Sequence, residues 1–221
     1  MEKEAMISIE NLNKQFKNQL VLNNINVKFS NGHIYGIIGR NGSGKTVLLK
    51  CICGFLKPTT GVISVNQKIV GKDIDFPENL GFIIETPGFL LNYSGYKNLK
   101  YLASIREKID SNEIKESMSL VGWIPQTKNM WVNHSMGMRQ RLGIAQAIME
   151  KPDILVLDEP MNALDKNGVE EMRRLFLKMK SEGKLILLTS HNREDIEILC
   201  DEVYEMEEGI LNKLKENTVN E

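Results

Sequence analysis

Residues Gly39-Arg40-Asn41-Gly42-Ser43-Gly44-Lys45-Thr46 fit the pattern G-x-x-x-x-G-K-[ST], and their types point to phosphate chemistry. Gly39, Gly42 and Gly44 permit positive φ and close approach of a ligand to the main chain. Successive N–H groups can then converge on phosphate oxygens, helped by the positive end of the following helix. Lys45 is spaced to reach β and γ phosphates, and the Thr46 hydroxyl to ligate Mg²⁺. The flanks agree. Tyr35-Gly36-Ile37-Ile38 reads as the end of a buried strand, and Val47-Leu48-Leu49-Lys50-Cys51-Ile52 as an apolar helix.

Further along, Ile154-Leu155-Val156-Leu157-Asp158-Glu159-Pro160 is an apolar strand ending in two carboxylates. Asp158 would face the glycine-rich loop across the carboxyl edge of a sheet, where ligands bind in open α/β folds. There it can hold Mg²⁺ through water, while Glu159 points to an attacking water. Leu187-Leu188-Thr189-Ser190-His191 brings a histidine to the end of another strand. It could bond a γ phosphate or orient the water, although a lone histidine is more often packed or solvated. His134-Ser135-Met136-Gly137-Met138-Arg139-Gln140 opens an amphipathic helix behind a serine N-cap, with Leu142, Ala145 and Ile148 or Met149 on its core face. A serine-led helix start can bind phosphate. An ordinary capped helix has the same pattern.

The elements that must position these groups are legible in outline. Segments 6–10, 20–22, 25–29 and 34–38 read as strands, so the chain is β-rich before the loop. A hairpin follows at 62–65 and 68–70 around Asn66-Gln67, then a short buried strand at 81–84 running into Glu85. From Tyr96 to about Trp131 the pattern is helical, punctuated by Gly122 and Pro125, which predicts a helical insertion. Strands at 154–157 and 184–189, with helices at 168–180 and 194–200, restore an α/β pattern; their unbroken apolar runs suit a parallel sheet covered on both sides. A closing hairpin at 203–206 and 210–214 turns at Glu208-Gly209, and 215–221 reads as a frayed polar tail.

With 221 residues, 42% of them hydrophobic, the chain can build one compact domain with a sizeable core. A formal net charge of −1 gives no sign of a general nucleic-acid binder, and no nucleic-acid partner is expected. Cys51, Cys53 and Cys200 show neither zinc spacing nor a disulfide framework, which suits a reducing cytosol. Neither a signal peptide nor an apolar run of about 20 residues is evident, so another chain is expected to supply any membrane crossing.

Taken in order, these pieces resemble the ATP-binding-cassette (ABC) transporter ATPases over essentially the whole chain. Gly39 to Thr46 resembles Walker A, Ile154 to Glu159 Walker B, Ser135 to Gln140 the ABC signature, Asn162-Ala163-Leu164-Asp165 the D-loop and His191 the switch histidine. The resemblance implies a P-loop NTPase of ABC type: a mainly parallel α/β core, an N-terminal antiparallel β subdomain, and a helical subdomain at about 93–150 within a single nucleotide-binding domain, 1–221. It implies ATP held by Phe16 against adenine, by Gly39, Arg40, Asn41, Gly42, Ser43, Gly44, Lys45, Thr46 and Val47 at the phosphates, and by Ser135 and Gly137 of a second copy. Mg²⁺ is implied at Thr46 and Asp158 with Glu85 nearby, and catalysis by Lys45, His191 and Glu159 as general base. Two departures stand out. Met136 replaces the first glycine of the signature, and Glu85 replaces a usual glutamine.

The combination S-x-G-M-[KR]-Q-R-L-G-I-A with I-I-E-x-P resembles the branch that confers immunity to bacitracin and lantibiotics. It implies an ATP-hydrolysing exporter subunit that pairs head to tail with a second copy or a paralogue. Such a subunit is cytoplasmic, peripheral on the inner face of the cell membrane, and drives a transmembrane permease. A soluble, non-transport ABC ATPase is the alternative.

Overall fold

The structure, a computed structural model, describes residues 5–85, 88–123 and 135–214. In chain order the first half contains β1 (Ala5–Phe16), β2 (Gln19–Ser30), β3 (Ile34–Ile38), α1 (Lys45–Ile52), β4 (Thr60–Val65), β5 (Lys68–Ile69) and β6 (Leu80–Ile83). Then come α2 (Gly95–Arg106), α3 (Ser111–Leu120), α4 (Met136–Ile148), β7 (Ile154–Leu157) and α5 (Lys166–Ser181). The chain closes with β8 (Leu185–Thr189), α6 (Arg193–Leu199), β9 (Glu202–Glu207) and β10 (Ile210–Lys213). Thr86, Pro87, Pro125, Trp131, His134 and the tail 215–221 lie outside the described residues.

Two sheets form. One is antiparallel in the order β2-β1-β4-β5; the other runs β10-β9-β3-β8-β7-β6, parallel throughout except for the β10–β9 pair. The second sheet separates two apolar cores, and its strands alternate between them. Ile154, Val156, Leu185 and Leu187 face α1 and the antiparallel sheet; Leu155, Leu157, Ile186 and Leu188 face the helices. Burial on both faces is why β7 and β8 read as unbroken apolar runs. The helices α2, α3 and α4 share the second core through Leu99, Ile114, Met118 and Leu142.

Three expectations change. Segments 20–22 and 25–29 are one strand, because Asn24 takes a left-handed φ of 49° and the β1–β2 register shifts there without ending the ladder. Asn13 Oδ1 accepts the Asn24 N–H at 2.9 Å, which holds the bulge. The helical stretch from Tyr96 is broken: α2 stops at Glu107 (φ 50°), and α3 starts behind Asp110. Asp110 Oδ1 accepts from the Asn112 and Glu113 N–H groups, while Glu113 accepts from the Asp110 N–H at 3.0 Å. That reciprocal cap restarts a helix within a few residues. The strand after Asn66-Gln67 is only two residues long, Lys68–Ile69.

Burial pushes the Cys51 thiol up to about 11, Cys200 to about 12 and Cys53 higher still, so none is a ready thiolate near neutral pH.

A buried ion pair joins α5 and α6 beside their shared apolar core. Arg173 and Asp195 are both buried; the Arg173 Nε donates to Asp195 Oδ1 at 2.9 Å, with Glu170 and Glu194 at its rim. Removing one partner of a buried pair leaves the other charge uncompensated. Arg173→Met is therefore expected to cost about 3–5 kcal/mol in urea denaturation, against near-neutral behaviour for Arg193→Met, whose pair with Glu197 is solvent-exposed.

Candidate nucleotide site

Strands β3, β7 and β8 end at one edge of the sheet, and each delivers a functional group there. The chain leaves β3 at Ile38 and enters the glycine-rich loop, where Gly39, Gly42 and Gly44 have φ of 146°, 80° and 115°. A Cβ on Gly39 would lie 2.3 Å from the Met206 carbonyl oxygen, so no other residue fits there without movement. Helix α1 starts behind Gly44, which supplies no side-chain cap. The N–H groups of its first turn therefore keep the unmet donor capacity of a helix start. The Ser43 hydroxyl is also buried with no hydrogen-bond partner. Unpaired donors at a helix N-terminus fit an anion.

Strand β8 lies between β3 and β7. Its last residue, Thr189, is fully buried and bridges the two carboxylate positions. Thr189 Oγ1 donates to Asp158 Oδ1 at 2.7 Å and accepts the Glu159 N–H at 2.9 Å. The other Asp158 oxygen, Oδ2, accepts from Thr46 Oγ1 at 2.8 Å. Thr46 and Asp158 are thus adjacent hard oxygen donors, the set that Mg²⁺ accepts together with phosphate oxygens and water. Among the described residues no group of three or more His, Cys, Asp and Glu side chains could hold a metal by itself, so phosphate and water would complete the shell.

Lys45 is buried, and its Nζ donates to the Gly39 and Arg40 carbonyls at 2.6 and 3.1 Å. Burial lowers its pKa, while Glu159 and Asp158 oppose the shift. Glu159 moves the other way. Burial raises its pKa first, with His191 and its backbone N–H pulling it down and Asp158 adding to the rise. Its Oε2 accepts the His191 N–H at 3.3 Å. The His191 Nε2 is 3.2 Å from Oε1, but out of line for a hydrogen bond, which leaves that buried oxygen unpaired.

A cavity of about 410 Å³ gathers Phe16, Asn41, Gly42, Gly44, Lys45, Thr46, Val47, Asp158, Glu159 and His191. Phe16 is partly exposed on its wall, with the Lys14 ammonium 4.9 Å from the ring centroid. The remaining loop residues, Gly39, Arg40 and Ser43, do not line this cavity. Ser135, Gly137 and Glu85 do not line this cavity. Ser135 caps α4 by accepting the Met138 N–H at 3.2 Å, and Gly137 packs against the Ala163 carbonyl, 2.7 Å from where a Cβ would stand. Glu85 lines a second cavity of about 430 Å³ with Met136, Arg139, Gln140, Asn162 and Ala163, which shares Asp158 and Glu159 with the first. Its carboxylate pairs with Lys50 at 2.6 Å.

Sequence reasoning missed Val21 on the wall of the first cavity and Thr189, whose hydroxyl joins the two carboxylate positions; it places Gln140 only as part of the signature, without its bonds to the Glu159 and Pro160 carbonyls. Thr189 could be flagged only with the strand order in hand.

Fold and loop together define a P-loop ATPase. Residues 22–162 match the ABC transporter family. The uncharacterized ABC transporter ATP-binding protein YybJ of Bacillus subtilis (strain 168) is 46% identical, over 93% of this chain and 94% of the relative. The bacitracin transport ATP-binding protein BcrA of Enterococcus faecalis is 39% identical, over 94% of this chain and 68% of the relative. The dimeric post-hydrolysis state of the cassette MJ0796, bound to ADP and Pi, shares the fold at a TM-score of 0.84 and 20% identity, over 93% of this chain and 96% of that one. The chain belongs to the ABC transporter family and is its ATP-binding, ATP-hydrolysing component. Among the described residues no helix is long and apolar enough to cross a membrane.

Thr189→Val would leave the Glu159 N–H unpaired and remove a donor from Asp158. It is expected to lower stability by about 1–3 kcal/mol in urea denaturation, with Thr189→Ser losing less than half of that.

Proposed function

We propose that this chain is the ATPase subunit of an exporter of antimicrobial peptides or drugs, acting as a head-to-tail dimer on a separate membrane subunit. One observation carries the dimer. Lys45, Thr46, Asp158, Glu159 and His191 share one cavity, whereas Ser135 and Gly137, the other phosphate-binding pieces, do not line it in the same molecule. A second copy related by a two-fold axis completes both sites. The likeness to a bacitracin transport protein supports a peptide antibiotic as cargo.

In this reading, Phe16 stacks on adenine, and the N–H groups from Gly39 to Val47 bind the phosphates, with Arg40, Asn41 and Ser43 shaping the loop. Lys45 turns from its carbonyl partners to the β and γ phosphates, helped by the low cost of moving a short distance inside a preformed cradle. Mg²⁺, held by Thr46 and Asp158 with Glu85 nearby, would neutralise phosphate charge. Glu159 takes the proton from the attacking water, and His191 fixes that carboxylate through its N–H. Ser135 and Gly137 of the second copy close over the γ phosphate.

The chain acts as a single nucleotide-binding domain, 1–221, with a helical subdomain at about 93–150. The permease docks beside Glu85 and α2, where Leu90, Leu91, Tyr93, Tyr101 and Ile105 are exposed. The working location is the cytoplasmic face of the cell membrane, and no nucleic acid takes part.

Glu159→Gln is expected to keep ATP affinity, to cut steady-state turnover by about a hundred-fold or more, and to accumulate an ATP-bound dimer in size-exclusion chromatography. Near-normal turnover in that variant removes Glu159 as the base, and a strictly monomeric ATP complex removes the sandwich. The pH dependence has a definite sign. Protonated Glu159 cannot accept a proton, so kcat falls as pH falls through its pKa, and burial sets that limb above the ordinary carboxylate value of about 4.3. A pH profile of kcat shows it directly; a limb at or below the ordinary value contradicts the assignment.

A further inference from the structure

We propose that Gln140 is a positioning residue for Glu159, and that it makes the aim of this base depend on the seating of α4. The inference rests on Glu159 acting as the base.

Glu159 has a φ of 49°, a left-handed conformation unfavourable for a residue with a side chain. Pro160 follows it, and a proline pushes the preceding residue towards extended backbone. Local preference therefore opposes the conformation, and hydrogen bonds must hold it. Three of the groups that do so are accounted for by neighbouring strand and loop. The N–H is held by Thr189, the carboxylate by the His191 N–H, and the carbonyl accepts from the Asn162 N–H at 3.2 Å.

The fourth comes from a different part of the molecule. Gln140 Nε2 donates to the Glu159 carbonyl at 3.2 Å and to the Pro160 carbonyl at 2.8 Å. A primary amide carries two N–H donors, which matches two carbonyl acceptors. A carboxylate at this place would set acceptor against acceptor, and a methionine would offer neither bond.

Gln140 also sits one turn into α4, whose start carries Ser135, Met136 and Gly137. Gly137 meets the Ala163 carbonyl at the far side of the same turn that Gln140 clamps. A displacement of the first turn of α4 moves the amide with it, because the helix is rigid over one turn. The group that serves the second copy's nucleotide is thus linked, in one chain, to the backbone that aims this chain's own base.

The test is kinetic. Gln140→Met is expected to lower kcat about ten-fold, or ~1.4 kcal/mol, with KM for ATP within about two-fold of the parent. A residue that works through the Glu159 carboxylate has nothing to align once that carboxylate is gone. The residual turnover of Glu159→Gln should therefore equal that of the Glu159→Gln/Gln140→Met double variant. A kcat within two-fold of the parent overturns the inference. So does an equal fold-loss in both backgrounds, or a rise in KM with kcat unchanged. Parent-like turnover in Glu159→Gln alone instead overturns the assignment of the base.

Discussion

The Asp158 carboxylate is the joint on which this site depends. It can only accept, and each of its oxygens takes one hydroxyl, Thr46 from α1 and Thr189 from β8. Those two bonds fix the direction of others. Thr189 has spent its proton on Asp158, so its oxygen is free to accept the Glu159 N–H. Thr46 has likewise donated, which leaves its lone pairs for a cation. One half-buried acceptor thus orders the glycine-rich loop, two strand ends and the neighbouring carboxylate. Separating them would strand polar groups inside the protein, at a cost larger than a typical net hydrogen bond.

The sheet makes that joint rigid. Because β3, β8 and β7 alternate their side chains between two filled cores, none can slip in register without moving its apolar set to the wrong face. Their ends are therefore fixed relative to one another to within a packing contact. The helices α2 to α4 are attached differently. They share a core with the sheet; among the described residues the Gln140 amide bonds the Glu159 and Pro160 carbonyls at the nucleotide edge, and Arg141 donates to the Val121 carbonyl at 2.5 Å and pairs with Glu171 at 2.7 Å. A rigid catalytic edge joined to α4 by an amide clamp suits a molecule that must transmit a change in shape.

Much of this was legible in the residues. The glycine-rich loop, the carboxylates after β7 and the histidine after β8 are local patterns, and each falls at a strand end as the apolar runs require. Phe16, the residue implied to hold adenine, lines the cavity wall. What escaped was information that no local stretch contains. That β8 separates β3 from β7 is a property of topology, so the role of Thr189 was invisible in Leu-Leu-Thr-Ser-His. The bulge at Asn24 hid the continuity of β2 because it broke the alternation while preserving the ladder. The break between α2 and α3 was different. Asp110 and Glu113 have capping-box spacing, and the helical periodicity on either side masked it.

The two departures from the family pattern become intelligible in the same terms. Met136 is the first residue of α4 and 74% exposed, so a side chain there projects outward without disturbing the helix start. The retained glycine, Gly137, is the position where a Cβ would collide with the Ala163 carbonyl. Close approach therefore survives where backbone meets backbone, and the substitution falls where there is room. Glu85 follows a parallel logic. Its carboxylate is paired with Lys50 from α1, so the added negative charge meets a cation before it meets the nucleotide edge. The pair is largely exposed and contributes little to stability. The paired residue lines the second cavity, which shares Asp158 and Glu159 with the first.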